Sequence, residues 1–347
     1  MKSYLEGRGM SEDFSKLRIA VIGSCQGVGI SQTLKRVMPG ATICHWHPEV
    51  LSISEKEEVL ASLPSFDHVI TQIPLKFDSN SEIASVQTKN NQFATIHEKC
   101  PSVLFIPVFV FNGFTPDFQN IHFAPDLRSP LQNLHSIVIA AAYAFQISQH
   151  RLKRLLNPIL FRELGFYEQY LWEKQNLFST FSKAGFDLTQ HFLEWSKSPG
   201  LFMHCMVHPK KEVLARLALI CGEKLSLINS STSIPDDLPD SLAGSLILPT
   251  YPAYAESLGC KSEGEVQLVP EAPYNNKHRF TLDEFISANY QSYSAYPNEL
   301  FIKKLPAHVV AAFERLLGEE KKISRPLVDA RLLRAKPGFY DSQNTAT

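Results

Sequence analysis

Of the 6 cysteines in this 347-residue chain, one has neighbours that can change its chemistry. Cys25 sits in Gly23-Ser24-Cys25-Gln26-Gly27-Val28-Gly29, between a short apolar run and a helical pattern. Glycines let the backbone turn tightly and bare its amides. A helix N-terminus draws anions through its unpaired N–H groups and its dipole. The same surroundings lower a thiol pKa and favour the thiolate, which is the nucleophile. A cysteine placed there is both reachable and activated. The same pattern also suits a small residue buried under a structural turn, and the glycines alone do not choose between the two.

Gly23, Gly27 and Gly29 also fit the GxxxGxG spacing of short-chain dehydrogenases, and Tyr170 and Lys174 fit their YxxxK pair. Three observations oppose that reading. Cys44-His45-Trp46-His47 offers no acid to a ribose hydroxyl. Asn112-Gly113-Phe114 stands where an Asn-Asn-Ala-Gly turn is needed. No serine precedes Tyr170 by about a dozen residues, the spacing the motif requires. Tyr170 and Lys174 are read as sharing a helix face with Tyr167.

The elements that must position Cys25 alternate. Leu17–Ile22 reads as a strand, Gly27–Met38 as a helix stopped by Pro39-Gly40, and Ala41–His47 as a second strand. Ser54 is expected to cap a helix that Pro64 ends. His68–Ile73 is the third strand, Ala84–His97 a helix, and Val103–Phe111 the fourth strand. Alternating strands and helices on short loops imply a parallel sheet, with its site at the carboxyl ends of the strands. Those ends carry Ser24, Cys25, Gln26, His45, His47, Gln72 and Asn112–Asp117. Beyond residue 128 the pattern turns helical: Leu131–Gln146, Arg151–Leu156, Ile159–Lys174, Leu188–Ser196, Lys210–Cys221, Leu282–Tyr290 and Ala307–Leu317. The expected fold is α/β, a flavodoxin- or SGNH-like parallel-sheet unit over residues 1–127 packed against a mostly helical part over 128–335, with a flexible tail over 336–347.

Bulk composition narrows the partners. Hydrophobic residues make up 44%, and 34 basic residues face 35 acidic ones, a net charge of -1. That balance gives no overall pull toward nucleic acid or anionic lipid. The longest apolar run, Ile137–Phe145, is far short of the roughly 20 residues that span a bilayer. Met1–Lys16 lacks the apolar stretch of a signal peptide. A soluble cytoplasmic protein with free thiols is expected. Oligomeric state is not legible. No metal site is expected. His204 and His208 fall on a predicted strand, roughly 13 Å apart. His45 and His47 lack a third ligand and are read as polar groups near the pocket.

In order and spacing, these segments resemble the WcbI-type polysaccharide-biosynthesis family. Gly23-Ser24-Cys25-Gln26 is similar to its Gly-Asn-Cys-Gln turn, with Ser24 in place of Asn. Gln72 matches a recurrent Gln. Phe111-Asn112-Gly113-Phe114-Thr115-Pro116-Asp117 resembles a Phe-x-Gly-Tyr-His-Pro-Asp segment, with Thr115 in place of His. Leu134-His135-Ser136 resembles a His-Ser at a helix start, Val207-His208-Pro209 an Asn-His-Pro turn, and Tyr251-Pro252 a later Tyr-Pro.

The resemblance implies an acetyltransferase that uses coenzyme A. Acetyl-coenzyme A would be the acyl donor and a saccharide hydroxyl the acceptor. Acyl transfer from a thioester needs oxyanion donors and a base for the acceptor hydroxyl. Cys25 would take the acyl group or lie beside the coenzyme A sulfur. The amides of Gln26 and Gly27, with Gln72 and Asn112, would hold the oxyanion. A histidine suits the base, since its pKa lies near neutrality; His135 is the first candidate and His208 the second. Ser24, Ser136 and Asp117 complete the donor site, Asp117 by orienting a histidine or capping its loop. Lys210 is a candidate for the donor's phosphates, with Lys211, Arg216, Arg151, Lys153 and Arg154. Two other readings stand beside this one: an SGNH-like esterase with a cysteine nucleophile, and a non-catalytic protein that binds coenzyme A or a glycan.

Overall fold

Successive residues of a strand face opposite sides of its sheet, and Arg18–Ile22 shows why this strand is central. Ile19 and Val21 face one apolar layer, Ala20 and Ile22 the other, and all four are buried. The computed structural model describes residues 13–73, 96–100, 102–197, 200–262, 264–267 and 279–318.

β1 (Arg18–Ile22), β2 (Thr42–Trp46), β3 (His68–Thr71) and β4 (Val103–Phe105) form one parallel sheet in the order β2-β1-β3-β4. The chain leaves β1 on one side for β2, then crosses back to β3 on the other. Reversal of strand order opens a crevice at the carboxyl ends of β1 and β3. The helices follow the same logic. Ile30 and Leu34 of α1 (Cys25–Val37) pack in the layer of Ile19 and Val21. Val59 and Leu60 of α2 (Ile53–Ser62) pack in the layer of Ala20 and Ile22.

Local chemistry moves several expected boundaries. The cap of α2 is Ser52, not Ser54: its hydroxyl accepts from the Glu55 amide while Glu55 reaches back to the Ser52 amide, a reciprocal box that satisfies two end donors. The fourth strand pairs only over Val103–Phe105. Pro107 has no N–H for a ladder, and Phe109 takes its partners from a glutamine side chain instead. The helix expected over Ala84–His97 lies outside the described residues except for its last two, which begin α3 (Ile96–Lys99). The tail over 336–347 also lies outside them.

The chain divides into two compact units, Met1–Pro116 with Phe166–Phe285, and Asp117–Gly165 with Ile286–Thr347. The division therefore differs from a single cut after residue 127. In the first unit the sheet is joined by α7 (Phe166–Lys183), α8 (Thr189–Lys197), a hairpin of β7 (Met203–Cys205) and β8 (His208–Pro209), and α9 (Lys211–Lys224). α9 packs on α1 where Gly29 has no side chain: a Cβ there would stand 2.5 Å from Leu214 Cδ1. The continuous helix expected over Ile159–Lys174 is two, α6 (Pro158–Glu163) and α7, parted at Leu164-Gly165. Tyr170 packs on Phe111 and Phe114, and the Lys174 ammonium lies over the Phe178 and Phe192 rings, so both serve the aromatic core of this unit.

The second unit holds the hairpin of β5 (Phe118–Asn120) and β6 (Leu134–Ser136), followed by α4 (Ile137–Ala144), α5 (Gln149–Leu155) and later helices including α10 (Asn298–Lys304). The helix expected from Leu131 starts only at Ile137, because Leu134–Ser136 pairs with Phe118–Asn120. Among the described residues no helix is long and apolar enough to cross a membrane.

Candidate functional site

Cys25 is the first residue of α1, two positions earlier than the expected start, and it is half-buried. The N-cap, Ser24, makes no side-chain cap to the helix. Its hydroxyl turns to Gln72, donating to Oε1 at 3.2 Å, and its amide donates to the same oxygen at 3.1 Å. Gln72 Nε2 then donates to Gln26 Oε1 at 3.2 Å. Gln26 is fully buried. Its Oε1 also accepts from the Phe109 amide at 2.9 Å, and its Nε2 donates to the carbonyls of Phe109 and Val207, both at 2.8 Å. One side chain thus ties the turn to the segment after β4 and to the tip of the β7–β8 hairpin.

This network revises the expected donor site. The side chain of Gln26 is consumed by protein partners, and Gln72 is committed to Ser24 and Gln26. The Gly27 amide, expected to face an oxyanion, donates to the Ser24 carbonyl at 2.9 Å, because the helix already begins at Cys25.

The thiol pKa is also corrected. Burial pushes it above its ordinary value, against the Ser24 hydroxyl and the Gln26 and Cys25 amides, which favour the thiolate; Glu49 adds a further rise. Desolvation of the charged form outweighs the helix end. Alkylation of Cys25 by iodoacetamide is therefore expected to be slower at neutral pH than that of free cysteine, and to keep rising where an unperturbed thiol has levelled off. A pH–rate profile with an inflection below the ordinary thiol range would contradict this.

Two histidines stand at the same end of the first unit. His45, paired in register with Val21, lies against the turn: Nε2 is 3.3 Å from the Gly23 carbonyl, and a Cβ on Gly27 would come within 2.6 Å of the ring. Gly27 is thus required by the close approach of that imidazole. His208 begins β8, a strand that contacts α1. Its Nδ1 is 2.9 Å from Ser245 Oγ. Burial lowers the pKa of both rings. Backbone contacts to Gly23 and Ser24 oppose the fall at His45, and Leu246 opposes it at His208. A lowered pKa favours the neutral ring, the form that can accept a proton. On the same hairpin His204 bonds Asp240 at 2.9 Å. The buried Cys205 thiol lies close enough to Cys25 that the charge of one raises the pKa of the other.

The remaining candidates in this unit are more distant in role. Asn112 Oδ1 accepts from Thr115 Oγ1 at 3.0 Å, which leaves the Asn112 amide nitrogen as its donor. The Asn112 backbone is held by Glu173, a buried carboxyl whose pKa is raised by burial against that bond and one from Gln169. Lys210 serves as the N-cap of α9, its amide donating to the Phe202 carbonyl. Among the described residues no group of three His, Cys, Asp or Glu side chains is placed to hold a metal ion.

The pattern of the family described as polysaccharide biosynthesis enzyme WcbI matches residues 18–229. The chain belongs to the WcbI family. No curated protein sequence matches it. The fold is similar to that of a WcbI structure, described as a polysaccharide biosynthesis enzyme and as native protein without a disulfide bond between coenzyme A and a cysteine. The TM-score is 0.66 at 16% identity, covering 86% of this chain and 99% of that one. At that identity the likeness is one of fold.

In this WcbI-family chain the other three candidates belong to the second unit. His135 is fully buried, its Nδ1 3.0 Å from the Tyr293 hydroxyl and its ring edge-on to Phe123. Burial, with the charges of Arg128 and His122, drives its pKa to about 4. Such a ring packs a core. Ser136 caps α4 by accepting from the Ile139 amide, and the Asp117 carboxylate accepts from the Val138 amide. Both side chains are buried and finish a helix end. His-Ser at a helix start is the signature of a cap as much as of a base. From sequence alone His45 reads only as a polar group near the pocket, and Cys205 and Ser245 are passed over, because sites on separate strands and loops share no local spacing.

Proposed function

We propose that this protein transfers an acyl group, acetyl in the simplest case, from coenzyme A to a saccharide hydroxyl in polysaccharide biosynthesis. The observation that carries the reading is Cys25: a half-buried thiol at an uncapped helix start, in the crevice where strand order reverses, in a chain of the WcbI family. A WcbI structure described as native protein without a disulfide bond between coenzyme A and a cysteine supports the donor.

The protonated thiol and the neutral imidazoles set the order of events. A base takes the Cys25 proton as sulfur attacks the thioester carbonyl. The carbon–sulfur bond to coenzyme A breaks, and the leaving thiolate takes a proton. The acceptor hydroxyl then attacks the acyl-cysteine, loses its proton to the base and returns Cys25 as a thiol. His208, on the strand against α1, takes the role of base in place of His135, whose ring is sealed. The Asn112 amide and the Gln26 N–H are the oxyanion donors. Native mass spectrometry tests donor binding: a complex with coenzyme A that weakens in Cys25→Trp supports the reading, and no complex at millimolar coenzyme A contradicts it.

A further inference from the structure

We propose that Ser245 is a positioning residue, holding His208 as the Nδ1–H tautomer so that Nε2 is left bare to accept a proton; this rests on the reading of His208 as the base. A serine hydroxyl has one proton and two lone pairs. Ser245 Oγ lies 2.5 Å from the Leu242 carbonyl oxygen, which can only accept, so the hydroxyl proton goes there. The oxygen then meets His208 Nδ1, at 2.9 Å, with a lone pair. Nδ1 must carry the hydrogen. A neutral imidazole has a single N–H, so Nε2 has none.

In water histidine favours the opposite tautomer, with the proton on Nε2. The loop therefore has to hold the serine firmly, and it is tied in three places. The Ser245 amide donates to Leu242 O at 3.0 Å. Gln267, itself buried, donates from Nε2 to the carbonyls of Ala243 at 2.8 Å and Ser245 at 2.7 Å. Arg279 Nε fixes the other end of that amide through Oε1 at 2.9 Å. The Leu248 amide bonds the His204 carbonyl at 2.9 Å and so joins the loop to the hairpin that carries His208. The groups beside this arrangement are His204 with its partner Asp240, and the Leu246 backbone, which also meets the His208 ring. Ser245 lies beyond the stretch matched by the family pattern.

Nitrogen-15 NMR of histidine-labelled protein, with His208 assigned by its loss in His208→Gln, reads the tautomer directly. The expected result is an Nδ1–H ring in the wild type and a shift toward Nε2–H in Ser245→Ala. The maximal transfer rate should fall at least about tenfold in that variant, since a base in the wrong tautomer cannot accept. Ser245→Thr, which keeps the hydroxyl, should restore both. An Nε2–H ring in the wild type overturns the proposal, even if Ser245→Ala does not fold. So does a Ser245→Ala protein with unchanged tautomer and rate. An Nδ1–H ring in a protein that transfers no acyl group supports the positioning and overturns only the reading of the reaction.

Discussion

Cys25→Ala keeps its fold and loses acyl transfer by about a thousandfold or more, on the scale seen when a nucleophile is removed from a preorganised site. The two halves of that expectation have separate causes. The position is the first of α1, half-buried, where alanine is a good helix former. The hydrogen bonds that tie the turn to its neighbouring segments run through Ser24, Gln26 and Gln72. The melting temperature should therefore move by no more than about 2 °C. The acyl acceptor, by contrast, is gone, and the buried Cys205 nearby has its own pKa raised by burial, so it is a poor substitute. Initial rates with acetyl-coenzyme A and thermal unfolding, measured on the same preparation, check both. A variant that turns over at the wild-type rate would remove Cys25 from the reaction.

Gln26→Ala has the reverse signature, a large loss of stability that drags activity with it. The mutation leaves the Phe109 amide, the Phe109 carbonyl, the Val207 carbonyl and Gln72 Nε2 without their partner. An unsatisfied buried group costs about 1–3 kcal/mol, and the set shares one site, so a combined loss of about 3 kcal/mol or more is expected. Gln26→Glu keeps the volume but turns an oxygen toward two carbonyls, so it should fare no better. The hairpin bearing His208 also loses its tie to the turn, and transfer should fall beyond what the unfolded fraction explains. Urea unfolding followed by rates at low denaturant separates the two effects. Unchanged midpoints for both variants would mean that this glutamine is not what joins the three segments.

The parts of this protein that were legible in its sequence are those set by local pattern. The β-branched run before Gly23, the glycine turn and the helix after it announce a parallel α/β unit with a thiol at its crevice, and the structure has that unit. The family could be read because its short motifs keep their order. Local pattern failed wherever a distant partner decides. Pro107–Phe111 looks like strand, yet Phe109 bonds a glutamine 83 residues earlier in the chain and the Phe111 amide bonds the Met206 carbonyl. Leu131–Gln146 looks like one helix, yet its start pairs with Phe118–Asn120. The helix end near Cys25 suggested an activated thiolate, and burial reversed the sign. As letters, His135 ranks above His208. Only the fold shows that one is sealed against Tyr293 and the other sits on a strand touching α1.

The most direct test counts thiol and ester together. Acetyl-coenzyme A is mixed with the protein and a saccharide acceptor, and the free thiol released is compared with the ester formed on the sugar. The account predicts one thiol for each ester, with little thiol release when the saccharide is left out. Thiol release that ignores the saccharide, or ester cleavage that needs no coenzyme A, would contradict it.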